Sequence, residues 1–250
     1  ISSIKWSADG KSIYFISLVF PECFDKNCNE ELEKDFKEGP LKAHMASSLL
    51  YRHWNFWKDG KEFHILKTDL EGNLEDLTPW KYETPLFSVS RNENYIPSKD
   101  GKYLFYAAKR VQNPAETTNS DIFLYDLEKK KEENLTFFNR GADINPLVSP
   151  DGKHLAYLTQ RVEGYEADLW RLAILDLATR KEKLVTDKKN FDWWVNKIQW
   201  GESGKYIYFT AQVKGQTPLF RINIENGLIE ELFVHQTIDD FKVTPYENYV

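Results

Sequence analysis

No apolar run in these 250 residues approaches the roughly 18–20 that a membrane helix needs, so a helical span is excluded and no membrane partner is expected. Basic residues are not in excess. Lys and Arg number 33 against 39 Asp and Glu, a net charge of -6, so the basic stripe that binds nucleic acid is missing. Cysteine is scarce: Cys23 and Cys28 are the two in the chain. A zinc site needs about four ligands and no nearby His or Cys completes one, so neither metal nor cofactor is expected. Two readings of the pair stay open, a disulfide bracing the loop CFDKNC, which implies an oxidising compartment, or two reduced thiols. No signal-like segment is visible. The chain opens inside a repeat, ISSIKWSADG, so any leader is expected upstream and the location expected is periplasmic or secreted.

What the chain does have is aromatic residues, 13 Tyr, 16 Phe and 8 Trp, which favour β structure. One phrase recurs: WSADGKSIYFIS (6–17), PSKDGKYLFYAA (97–108), VSPDGKHLAYLT (148–159) and WGESGKYIYFTA (200–211). Each is a tight turn followed by an alternating apolar strand. Pro150, Asp151 and Gly152 supply a fixed φ, a side chain that bonds its own backbone, and freedom for positive φ. Gly101 to Gly152 is 51 residues and Gly152 to Gly204 is 52, while Gly10 to Gly101 is 91, one period plus an insertion. Periods of roughly 40–50 residues with four strands each mark propeller blades. A β-sandwich also has many short strands, but it would not repeat one turn at a fixed period.

The fold expected is all-β: a TolB/WD-like β-propeller fragment of about four four-stranded blades, with a short helical insertion in the first. The blades fall at 1–80 (insertion 18–61), 81–138, 139–188 and 189–236, with a fifth beginning at 237–250. In the third, strands A to D are expected at 144–149, 154–160, 169–176 and 181–186. Strands ending in Leu-Thr recur at 77–78 and 135–136. In the insertion, Asn29 reads as an N-cap and Gly39–Pro40 as a stop, followed by a second helical turn and a hairpin around Asp59–Gly60. Trp6, Trp193, Trp194 and Trp200 read as blade-packing residues. An open arc would expose sheet edges, so completion by the rest of a longer chain, or by a second copy in a homodimer, is expected.

In a four-stranded meander the A–B and C–D turns share one face of the disc, and the B–C loops and D–A connections share the other. The regular DG turns are all A–B turns. The irregular segments 18–61, 109–120, 161–168 and 212–218 are all B–C loops, and binding residues concentrate on loops held by rigid scaffolds.

Three strings carry a resemblance: YRHWNFWKDGKEFH (51–64), TNSD (118–121) and SPDGKHLAYLTQRVEGYEADLWRL (149–172). They resemble the propeller of the prolyl oligopeptidase family, in its bacterial dipeptidyl peptidase and acylaminoacyl peptidase branch, over nearly the whole chain. The resemblance implies an N-terminal propeller joined to a C-terminal α/β-hydrolase domain of the same polypeptide, which holds the Ser, Asp and His triad. G-x-S-x-G, which the nucleophile elbow requires, occurs nowhere here, so no catalytic residue is expected. The implied role is to filter oligopeptide substrates and hold their N-terminus.

A dipeptidyl peptidase must hold a free α-ammonium at a fixed distance from the scissile bond. Glu163, Glu166 and Asp168 cluster in RVEGYEADL (161–169) and could do so through charge-assisted hydrogen bonds, with Glu166 and Asp168 favoured; the bland alternative is a solvated acidic turn. Arg52, His53 and Trp54 could grip a peptide carbonyl and wall a subsite, or simply anchor the insertion. Glu30–Glu31 on the insertion helix is a lesser candidate for the amine anchor. Two other functions compete: a stand-alone TolB-like module that binds a protein partner, and a propeller glycosidase using carboxylates around the channel. Asp143 and Asp192 precede A strands, but no ladder of acids repeats there.

Overall fold

The computed structural model describes all residues except 24–25, 88–93, 234–235 and 247–250. The first sheet holds β1 (Ser2–Trp6) and β2 (Ser12–Val19). After these come α1 (Lys26–Glu38), β3 (Arg52–His53) and β4 (Phe56–Trp57), then β5 (Glu62–Asp69) and β6 (Leu74–Asp76). The second sheet is β7 (Tyr95–Pro97), β8 (Tyr103–Ala108), β9 (Asp121–Asp126) and β10 (Lys131–Asn134). The third is β11 (Asp143–Val148), β12 (His154–Thr159), β13 (Arg171–Asp176) and β14 (Glu182–Leu184). The fourth is β15 (Val195–Trp200), β16 (Tyr206–Ala211), β17 (Leu219–Asn223) and β18 (Ile229–Glu231). Each is a separate antiparallel meander in the order β1-β2-β5-β6, β7 to β10, β11 to β14 and β15 to β18, and β3 pairs only with β4. These are four propeller blades.

The B strands weld the blades together, because successive side chains point to opposite faces. Tyr14 and Ile16 of β2 pack with Leu104, Tyr106 and Ala108 of β8. Phe105 and Ala107 point the other way, against Leu155 and Tyr157 of β12. Ala156 and Leu158 in turn meet Ile207, Phe209 and Ala211 of β16. Tyr208 then packs with Phe241 and Val243, where the fifth repeat was expected; among the described residues no strand follows β18.

The recurring residues serve two polar devices. In the A–B turn Ser149 Oγ donates to Asp151 Oδ1 (2.6 Å) and accepts from His154 N (3.0 Å), and Gly152 takes φ 73°. The same bonds link Ser98, Asp100 and Tyr103, and Ser7, Asp9 and Ser12. The Leu-Thr ends close strand D onto C. Buried Thr78, Thr136 and Thr186 accept the backbone N–H of Ile65, Ile122 and Leu172 at 2.9, 2.9 and 2.8 Å. Regular pairing in β14 therefore stops at Leu184, short of the expected 186.

Three expectations for the insertion need correction. Asn29 is not the N-cap: α1 begins at Lys26, and Asn29 Oδ1 instead accepts Phe20 N–H (2.8 Å), tying the helix to the end of β2. No second helical turn follows Pro40; the strap through residue 50 is irregular, and His44 stacks on Trp57 (4.3 Å) and bonds Asp59 (2.6 Å). The hairpin turns at Trp54–Asn55, between β3 and β4. Asp59–Gly60 does form a tight turn, with Lys61 N donating to Lys58 O (2.9 Å), but β5 is already paired on both edges and cannot accept β4. Among the four tryptophans only Trp200 is core, its indole N–H bonding Leu147 O (3.0 Å). Trp193 and Trp194 precede β15, outside the sheet, and stay exposed. Lys5 of β1 lies over the Tyr95 ring, and its neighbour Trp6, which alternation turns to the opposite side of the strand, is exposed.

Replacing Thr186 by Val keeps the volume but orphans the buried Leu172 N–H. Urea unfolding should show a loss of about 1–3 kcal/mol, and Thr186→Ser should recover most of it.

Candidate functional site

A cleft of about 1630 Å³ opens on the B–C loop face. Three blades build it: the insertion of blade 1, the 80–87 connection, the 109–116 loop of blade 2, and Glu166 from blade 3. On one side lies Arg110. Its guanidinium sits 5.1 to 5.8 Å from the rings of Trp80, Tyr82, Tyr106 and Phe123, and donates to Thr84 Oγ1 (3.0 Å) and Glu132 (3.1 Å). Across the cleft His53 stacks on Phe87 at 4.0 Å, with Nε2 3.4 Å from Glu83. Lys58, itself buried, bonds both Glu62 and Glu83, the latter at 3.2 Å. Burial works against a charge on Glu83, but His53 and Lys58 outweigh it and hold its pKa below the ordinary value. At Glu62 burial wins over Lys58, and its pKa is raised.

Lys109 is half-buried between acids. Burial pulls its ammonium below the ordinary lysine value, against the opposing charges of Glu166 and Glu83, and two of its donors are taken by Pro114 O (3.2 Å) and Thr117 O (2.6 Å). Among the described residues the Glu166 carboxylate has no hydrogen bond or ion pair. Its charge acts on the Lys109 ammonium through space alone.

The other expected site residues divide. Asp168 does not face the large cleft as a free anchor. It is buried, and its oxygens already accept Arg171 Nη1 (2.9 Å), Arg171 Nη2 (3.1 Å), Arg161 N (2.6 Å) and Val162 N (3.1 Å). Burial alone would raise its pKa, but Arg171 and these backbone donors hold it well below the usual carboxylate range. Glu163 pairs with exposed Arg140 (2.9 Å) away from the cleft. Arg52 lies over the Trp57 ring (5.5 Å), and Trp54 sits fully exposed at the hairpin tip. Only His53 of that trio lines the cleft. Glu30 and Glu31 stay on the exposed helix, Glu30 pairing with Lys26 (3.4 Å). Cys23 and Cys28 are joined by a disulfide that clips the first turn of α1 to the end of β2.

Arg110, Glu132 and Lys109 were not anticipated, although a signal existed. Tyr106 and Arg110 recur one blade on as Tyr157 and Arg161, and in both blades tyrosine and arginine meet a D-strand glutamate, Glu132 or Glu182. Asp143 is no channel acid. It is fully buried, accepts from Asn139 (2.9 Å), and burial raises its pKa to about 7 against the pull of Thr159, Thr136, Arg161 and Asn139.

No protein-family model matches the chain. Its sequence is similar to dipeptidyl-peptidase 5 of Porphyromonas gingivalis, 30% identical over 238 residues that span 93% of this chain and 34% of that protein. Among solved structures it is similar to acylaminoacyl peptidase of Pyrococcus horikoshii (TM-score 0.63, 17% identity, 97% of this chain and 33% of that one). It is also similar to TolB of Acinetobacter baumannii (TM-score 0.57, 17% identity, 92% and 43%). At such identities the structural likenesses speak for the fold alone. The fold defines the class, a β-propeller shared by TolB and by peptidases. Within that class the sequence similarity identifies a propeller of the prolyl oligopeptidase-family peptidase kind, and the chain spans about a third of the length of the curated relatives it matches.

Asp168→Ala should cost about 3–5 kcal/mol by leaving Arg171 buried and unpaired, whereas Glu166→Ala should stay within about 0.5 kcal/mol of wild type; chemical denaturation reads both. Asp143 gives a pH signature. Between about pH 4, where the unfolded aspartate ionises, and about pH 7, the folded protein holds a proton that the unfolded one has lost. Stability therefore falls as pH rises through that window, and Asp143→Asn should flatten this part of the curve.

Proposed function

We propose that the chain is the substrate-gating, N-terminus-anchoring propeller of a serine exopeptidase of the dipeptidyl peptidase kind, acting on oligopeptides and not catalytic by itself. The carrying observation is the unpaired Glu166 carboxylate in a cleft built by three blades. A free α-ammonium is the group that such a carboxylate recognises best, through short charge-assisted hydrogen bonds. Mixed charges and aromatic walls around it suit a peptide, whose amides and side chains need both. Lys109, nearby, tempers the negative field, so an anion-only cleft that would trap any cation is avoided.

The partner in this reading is a catalytic α/β-hydrolase domain of the same polypeptide, docked on the loop face. The D–A connections support that choice of face: each puts exposed aromatics there, Tyr82, then Phe137 and Phe138, then Trp193 and Trp194. Exposed apolar surface of this kind marks an interface. The disulfide supports a periplasmic or secreted location. The other reading is a stand-alone TolB-like module that binds a protein partner, for which the same exposed aromatics would serve as the contact surface.

In the full-length protein, Glu166→Gln should raise KM for free-amine dipeptidyl substrates by roughly 10–100-fold, the loss of one charge-assisted contact. Cleavage of N-acetylated peptides should not change. An unaltered KM in steady-state assays would overturn the anchor. A full-length polypeptide with no peptidase activity would favour the TolB-like reading.

A further inference from the structure

A second cleft, of about 400 Å³, lies on the same face between blades 3 and 4. Its walls are Tyr165 from the β12–β13 loop, Trp193 and Trp194 from the connection before β15, and Gln212 from the β16–β17 loop, with Lys188 and Asp192 at its edge. Its content separates it from the other exposed aromatics. Phe137 and Phe138 offer rings alone and line neither of the two clefts. Here two indoles, a phenol, an amide, a carboxylate and an ammonium belong to the residues that line one cleft. Not one of these side chains makes a hydrogen bond or ion pair to another described residue. Rings set beside unused donors and acceptors make an amphipathic pocket: the planes take an apolar ring, and the polar groups take the amides on either side of it.

The two clefts share a wall. Glu166 lines the large one and its neighbour Tyr165 lines the small one, so the loop 161–168 divides them. A peptide held by its amine at Glu166 has only this loop to cross before its later residues reach the tryptophans. We infer that the small cleft is a second peptide-binding site, which takes a proline or aromatic side chain downstream of the anchored N-terminus. The inference rests on the peptide reading of the large cleft. It adds a preference that the anchor cannot supply: peptides longer than the anchored end, carrying a flat apolar ring, bind more tightly than short ones.

The test separates the two sites. The probe is N-acetyl-Ala-Pro-Phe-Ala-Pro-Phe-amide, which has no free amine, titrated into the whole chain by calorimetry. Binding with a negative heat-capacity change is expected, as apolar burial requires. Trp194→Ala and, separately, Gln212→Ala should each weaken it by about tenfold, with unchanged circular dichroism showing that each variant folds. Glu166→Gln should leave it unchanged, because that variant reports on the amine anchor and the tryptophan variants on this cleft. Two results would overturn the inference: no binding of the acetylated probe, or binding that survives both cleft variants. A neutral glucose hexasaccharide that binds in its place, and is lost in Trp194→Ala, would overturn it in favour of a glycan site.

Discussion

Each sheet in this fold has to bury both of its faces, and the B strand carries that obligation for the blade. Tyr157 packs toward blade 2 while Ala156 and Leu158 pack toward blade 4, so a shift of one residue would turn every B-strand side chain to the wrong neighbour. The regular parts are thereby committed to packing. The A–B turns are committed as well, since Ser149 and Asp151 are occupied with holding the register of the strand that follows. What remains free for ligands is the set of segments that leave the sheets on the opposite side, and most of the lining of both clefts comes from them.

The same constraint explains why one polar unit serves two ends. Tyrosine on strand B, arginine just past it and glutamate on strand D meet in blades 2 and 3 alike. In blade 3 the chain past Arg161 folds back and is locked by Asp168 and Arg171. In blade 2 the chain past Arg110 runs along the large cleft, and the guanidinium lies against four aromatic rings there. A repeated structural unit thus becomes part of a site where its neighbouring loop leaves it open.

Repetition also governs what could be read before the structure. The DG turns and the Leu-Thr ends were legible because each performs a local task that recurs from blade to blade through the first three, and so were the blade order and the separation of plain from elaborated faces. The cluster of Lys58, Glu62 and Glu83 was not legible: Glu83 lies 25 residues from Lys58, and only the return of the chain past blade 1 brings them within 3.2 Å. Asp59–Gly60 was read correctly as a turn and wrongly as the hairpin's own, because turn chemistry is local while strand pairing depends on which edges are already taken. The tandem tryptophans misled for a related reason. Large aromatics usually mean core, but these sit in a connection, where no sheet can cover them.

Glu166 and Asp168 were indistinguishable in sequence, two acids in one loop, and the structure puts them in opposite circumstances: Asp168 is fully bonded, while the Glu166 carboxylate makes no hydrogen bond or ion pair among the described residues. Asp168 draws in the backbone N–H groups of Arg161 and Val162 and the guanidinium of Arg171, while Gln160 Nε2 bonds the carbonyls of Glu166 (2.9 Å) and Asp168 (2.7 Å). Gly164 N is held in turn by Thr118 Oγ1 (3.0 Å). The loop is therefore tied at its base, along its length and to blade 2. An anchor that measures a peptide from its end has to stay in one place, since small displacements of a positioning group cost rate. On this account Asp168 could not have served as that anchor, because its charge is already used in the fixing, and Glu166 can serve because its neighbour two residues on does the fixing for it.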